Sequence, residues 1–120
     1  MKIAFTTSGD NLDAPLDSRF GRSPKFIIYE MDGGAFEVID NKKSLNAAQG
    51  AGIQAAETIV RLGVSCVITG HCGPKAFRVL SAAGVKVYSI DASTVSEALD
   101  RFLGERIAPL DSADVEGHHV

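Results

Sequence analysis

An α/β fold on a five-stranded mixed sheet, with helices on both faces, is predicted by three features of the chain. Short apolar, β-branched runs recur at residues 3–7, 26–31, 35–40, 64–69 and 85–90. The last two alternate with ten-residue stretches of helical period, which implies right-handed parallel crossovers. Asp32-Gly33-Gly34 joins the second and third runs with the glycines that a tight hairpin demands, adding an antiparallel edge. The resulting order is β-β-β-α-β-α-β-α.

Each element has its own signal. The first strand is stopped by Ser8-Gly9-Asp10, and a polar loop follows over 8–24 with Pro15, Gly21 and Pro24. A loop this long in a small domain is functional or mobile, and mobility is expected because few apolar anchors lie between Leu12 and Phe20. Residues 41–49 read as a polar connection. Ile53, Ala56, Ile59 and Val60 place a helix at 52–62, closed by Gly63 as a left-handed cap. Pro74 suits a first helical position, and Phe77, Leu80 and Ala83 continue that helix over 74–83 to Gly84. Thr94-Val95-Ser96-Glu97 fits a capping box. Val95, Ala98, Leu99, Phe102 and Leu103 then repeat with an amphipathic helix's spacing up to Gly104. Beyond Pro109 the pattern fades, so residues 1–108 form one domain and 109–120 a flexible tail.

Composition narrows the function classes. The 120 residues, 45% hydrophobic and 22% charged, suit one globular domain rather than a disordered chain. No run of about 18 apolar residues occurs, so no membrane span is expected. Lys and Arg number 12 against 15 Asp and Glu, which opposes a basic nucleic-acid face. The absence of Trp and only 7% aromatic residues leave no stacking platform for single strands. Met1-Lys2 runs straight into Ile3-Ala4-Phe5 without a secretory apolar region, so the cytoplasm is the expected compartment. Cys66 and Cys72 form no disulfide framework and read as free thiols.

In a sheet of this kind ligands bind beyond the carboxyl ends of the strands. Two constellations fall there. Arg19-Phe20-Gly21-Arg22-Ser23-Pro24-Lys25 spaces cations three apart around a glycine, and Arg presents a planar fork of donors suited to multi-oxygen or multi-sulfur anions. Its plain alternative is a solvated loop with surface ion pairs. Gly70-His71-Cys72-Gly73-Pro74 forms a strand-to-helix turn, where backbone N–H groups attract anions and depress a thiol's pKa. His71 and Cys72 are both metal-ligating types, though adjacent ligands are not the spacing of a closed zinc site. Cys66, between Ser65 and Val67 on an apolar strand, reads as core. Asp10, Asp13 and Asp17 lack the spacing of a calcium loop, and His118-His119 reads as an adventitious site. There is no phosphate-binding GxxxxGK[ST], no GxGxxG and no legible nucleophile–base set, so nothing argues for turnover.

Several motifs together carry a resemblance. They are Asp17-Ser18-Arg19-Phe20-Gly21-Arg22-Ser23-Pro24, Gly50-Ala51-Gly52 opening a helix, Gly70-x-x-Gly73-Pro74-Lys75-Ala76, and Val95-x-x-Ala98-Leu99-x-x-Phe102. In this order, over roughly residues 1–107, the chain resembles the dinitrogenase iron–molybdenum cofactor biosynthesis family of NifX-like and NifB C-terminal-like domains. As a small stand-alone chain it is most similar to the orange protein branch, whose members carry a molybdenum–copper sulfide cluster. The resemblance implies a ribonuclease H-like fold without nuclease activity, and a non-catalytic carrier or assembly scaffold for an anionic metal–sulfur cluster. It implies cofactor contacts from Arg19, Phe20, Gly21, Arg22, Ser23, Lys25, Gly70, His71 and Gly73, with Cys72 as a possible copper ligand. The family often has His where this chain has Arg19, so an iron–molybdenum-type cluster fits less well than a thiomolybdate held by charge. Protein partners in the same pathway are expected, with the chain a monomer or weak homo-oligomer. Two other classes stay open: a metal-free interaction or regulatory module partnering an ATPase, and an enzyme acting on a phosphorylated small molecule.

Overall fold

The computed structural model describes residues 1–42 and 50–113. Residues 43–49 of the expected polar connection lie outside the described residues. So do 114–120 of the expected tail, including His118 and His119.

Five strands form one sheet: β1 (Lys2–Thr7), β2 (Lys25–Glu30), β3 (Phe36–Asp40), β4 (Cys66–Thr69) and β5 (Lys86–Ser89). Their spatial order is β3-β2-β1-β4-β5. The β1–β2 and β2–β3 pairs are antiparallel, and β1–β4 and β4–β5 are parallel. Three described helices pack on the sheet: α1 (Ala51–Arg61), α2 (Pro74–Ala82) and α3 (Val95–Gly104). This is the ribonuclease H-like mixed sheet that the resemblance implies. Element ends fall within one or two residues of expectation. Val64 is the one apolar strand residue left out of β4, and it still buries in the core. Gly33 and Gly34 take φ of 99° and 77° in the β2–β3 turn, values that a side chain disfavours.

Alternation along the strands sends side chains to two cores. Ala4, Phe26, Ile28, Val67 and Val87 face α1 and α2, meeting Ala55, Ala56, Ile59 and Leu80. Ile3, Phe5, Ile27, Cys66 and Ile68 face α3, meeting Val95, Ala98 and Leu99. Tyr88 adds an edge-to-face contact with Phe102, ring centroids 4.9 Å apart. No described helix is long and apolar enough to cross a membrane.

The 8–24 loop is tied down along its length, against the expectation of few anchors. Asp17 N–H bonds Thr6 O at 2.8 Å, and Leu16 N–H bonds Ser93 O at 3.2 Å. In return Val95 and Ser96 N–H groups donate to Ala14 O and Leu12 O. Backbone bonds of this kind leave no apolar trace in a sequence. At the other terminus, Leu110 donates to Val87 O at 2.8 Å and packs on the α1–α2 core. The chain is therefore still anchored to the edge of β5 two residues past the expected boundary at 108.

Candidate functional site

β1 and β4 run parallel, so the loops that follow them leave the same edge of the sheet. Their carboxyl ends are joined internally by the Thr6 and Thr69 hydroxyls, 2.9 Å apart, with Thr6 Oγ1 donating to Asp17 O at 2.7 Å and so accepting from Thr69. Beyond the edge, the two predicted constellations meet. Phe20 N–H donates to His71 O at 3.1 Å, and Arg19 pairs with His71 in a short parallel bridge. Gly70 makes this approach possible, because a Cβ there would sit 2.7 Å from Ser18 Cα.

Several predicted site side chains turn inward. Phe20 is 1% exposed and stacks at a tilt on Phe26, with centroids 5.6 Å apart. It anchors a 3-10 turn (Phe20–Arg22) rather than presenting a face to a ligand. Ser23 is fully buried; its hydroxyl accepts from Thr7 N–H and donates within reach of Thr7 O and Lys25 O. Asn41 secures the same turn by donating Nδ2–H to Ser23 O at 2.8 Å. Cys72 is 1% exposed and belongs to the α1–α2 core, so its sulfur does not front the surface. Lys25 is engaged with Asp10 in an ion pair. Phe20 and Ser23 thus hold the turn, Cys72 packs in the core, and Lys25 pairs with Asp10.

The exposed members other than Arg19 lie around two openings. The larger is a cleft of about 690 Å³ between the 3-10 turn and the N-termini of α1 and α2. Gly21 and Gly52 touch backbone to backbone across it: a Cβ on Gly21 would lie 2.9 Å from Gly52 Cα. Gly52 in turn abuts Ala76 of α2. Small residues thus bring three backbone segments to one wall. Arg22, Lys75 and Arg78 line the cleft, all exposed, and no carboxylate lines it among the described residues. The smaller opening, about 290 Å³, lies beside His71 and includes Ser18, Gly70, Ser89 and Asp91. Arg19 is exposed and lines neither.

Helix chemistry reinforces the charge. The first turn of a helix carries N–H groups without intrahelical partners and the positive end of the macrodipole. α1 begins at Gly50, in the left-handed region at φ 75°, with no side-chain cap and no acid in its first turn. α2 begins at Gly73, also without a side-chain cap or a first-turn acid, and its Pro74 removes one donor. Both starts open onto the cleft. Two helix ends and three cations therefore focus positive potential on one concavity of a chain whose net charge is −3. Such a site attracts anions.

Direct metal ligation has less to work with. Among the described residues no three His, Cys, Asp or Glu side chains gather to hold a metal ion. Cys66 lies on β4 in the α3 core, and burial pushes its thiol up to about 11. It is a packing residue, as its apolar neighbours imply.

The sequence analysis did not single out Lys75 and Arg78, which line the cleft beside Arg22. Lys75 stood within a quoted motif, and both lie in the first turns of a helix whose start was assigned to the ligand edge. That position was the available signal.

Comparison with known proteins agrees with the geometry. Residues 1–105 match the family model described as dinitrogenase iron-molybdenum cofactor. The apo form of the orange protein from Desulfovibrio gigas is similar at 37% identity and a TM-score of 0.91, over 95% of this chain and 96% of that one. A NifB-type protein from Thermotoga is similar at 36% identity and a TM-score of 0.83, over 97% and 98% of the two chains. An uncharacterized protein of Methanocaldococcus jannaschii is 33% identical across 86% of each chain. With nearly its whole length matched, the chain belongs to the dinitrogenase iron–molybdenum cofactor family.

Proposed function

We propose that this protein is a non-catalytic carrier or assembly scaffold for an anionic molybdenum–copper sulfide cluster, held without covalent bonds in the cleft between α1 and α2. The family and the likeness to the orange protein support a cofactor-binding or carrier role. The observation that carries the finer reading is the cleft itself. Two uncapped helix starts and Arg22, Lys75 and Arg78 line one space with no carboxylate among its described walls.

The donor set fits such a cargo. A thiomolybdate unit is a compact polyanion whose sulfur atoms are weakly hydrated acceptors. Arg forks and backbone N–H groups can meet several of them at once, and charge-assisted hydrogen bonds are the stronger class. The glycines keep side chains from standing between the backbone and the cluster. An outer hold of this type needs no thiolate, which agrees with Cys72 lying inside the core.

The test is anaerobic reconstitution of metal-free protein with tetrathiomolybdate and copper, followed by desalting. Molybdenum, copper, sulfide and charge-transfer absorption should remain with the protein. Arg22→Ala/Lys75→Ala/Arg78→Ala should lose affinity on the order of a hundredfold or more while its circular dichroism is unchanged, because three charge-assisted contacts are removed. Full retention by that variant would sink the cleft as the site. Failure of the unmodified protein to retain any cluster would shift the reading to a metal-free module that docks a protein partner through these loops.

A further inference from the structure

Two concavities share one arginine. The cationic cleft lies on one side of the α2 N-terminus. On the other, residues 111–113 and α2 line an open groove of about 450 Å³. Arg78 and Pro74 line both. The 111–113 segment is fixed just before the groove, where Leu110 donates to Val87 O at 2.8 Å and buries part of its side chain in the α1–α2 core. That tether presents the next residue, Asp111, to the groove. Asp111 is exposed, and it is the one carboxylate among the described residues lining either space.

The geometry points to Asp111 as an internal counter-ion that competes with the bound anion for Arg78 and so sets how tightly the cleft holds its cargo. This rests on reading the cleft as an anion site. Arg78 is exposed, and its long stem lets its guanidinium turn toward either space. An anion in the cleft draws it one way and the Asp111 carboxylate draws it the other. A carrier must release its cargo as well as bind it, and a built-in competitor lowers affinity without removing a cation. Because both side chains are exposed, the effect is modest and salt-sensitive.

The experiment titrates tetrathiomolybdate, followed by its visible absorption, into the unmodified protein, Asp111→Asn, Arg78→Ala and the double variant, at low salt and at 1 M salt. Asp111→Asn keeps the shape of an exposed side chain, and circular dichroism checks the fold. At low salt it should bind about threefold more tightly, the size of one charge–charge interaction across several ångströms of water. The gain should fade at 1 M salt, where the Debye length is about 3 Å. In the Arg78→Ala background the gain should shrink or vanish. Equal affinities for Asp111→Asn and the unmodified protein overturn the inference. So does a gain of the same size with and without Arg78. If Arg22→Ala, Lys75→Ala and Arg78→Ala each weaken binding while Asp111→Asn does nothing, the cleft reading stands alone. If none of the three weakens it, the cleft reading falls, and this inference with it.

Discussion

The three described helices begin in two different ways. At α3 the Thr94 side chain accepts from Glu97 N–H at 3.0 Å, and Glu97 reaches back to Ser93 N–H, one residue before the cap, a shifted form of the expected capping box. The orphan donors there are satisfied within the protein, and an acid sits on the positive end of the dipole. At α1 and α2 the cap positions are glycines, no acid follows, and cations stand nearby. The closed start faces the loop that packs the α3 side. The open starts share a cleft. The contrast separates a helix end closed by its own side chains from two ends left without a side-chain cap; on the proposed function, capping an open end would stabilise the chain and hinder the anion.

That contrast can be broken by moving a cap. Gly73 has φ −74° and ψ 170°, ordinary extended backbone, and a Cβ there would meet nothing within 4 Å. Gly73→Asp therefore fits, gives α2 the cap it lacks, and brings a negative charge to the cleft wall. Thermal or urea unfolding should show a gain of roughly a few tenths of a kcal/mol, because glycine is already a tolerable cap residue. Tetrathiomolybdate affinity should fall at least tenfold, because the carboxylate occupies the N–H groups and repels the anion. Stabilisation with undiminished binding would mean that the α2 start takes no part in the site.

The reverse change sharpens the comparison. Thr94→Ala removes the α3 cap and leaves Glu97 N–H without its acceptor. Stability should drop by about 1 kcal/mol. Tetrathiomolybdate binding should not change, because α3 packs on the opposite face of the sheet from α1 and α2. A binding loss comparable to that of Gly73→Asp would show that the two kinds of helix start are not functionally distinct.

This division was only partly legible in the chain. The capping box at residues 94–97 is a local signal, so it could be read directly, as could the hairpin glycines 33 and 34. Strands and helices were placed closely because buried faces impose a period on their residues. Loop side chains obey no period, which is why the inward turn of Phe20, Ser23 and Cys72 was hidden. Whether a cation is available also depends on distant partners: Lys25 is taken up by Asp10, fifteen positions earlier. Lys75 and Arg78 share a cleft with the start of α1, a neighbour that the fold alone supplies. Gly21, Gly52 and Gly70 were visible as motif glycines, but the partner of each close approach lies in another segment.

The smallest effect belongs to the other cysteine and tests the core against the site. Cys66 faces the α3 core, where burial raises its thiol to about 11, against 9.0 in an open chain. The folded protein therefore keeps this proton at pH values where the unfolded chain has lost it. The stabilisation is complete well below pH 9 and is lost as the pH rises past about 8 through 11, because ionisation then favours the unfolded state. By pH 9 the loss amounts to about 0.4 kcal/mol. Cys66→Ala removes this contribution, so its stability should decline less between pH 7 and 9 than that of the unmodified protein, apart from a constant penalty for the smaller side chain. Tetrathiomolybdate affinity should be the same in both across that range. Parallel stability curves would mean that the thiol stays close to its open-chain value, and a change in affinity would tie the α3 core to the cleft on the far side of the sheet.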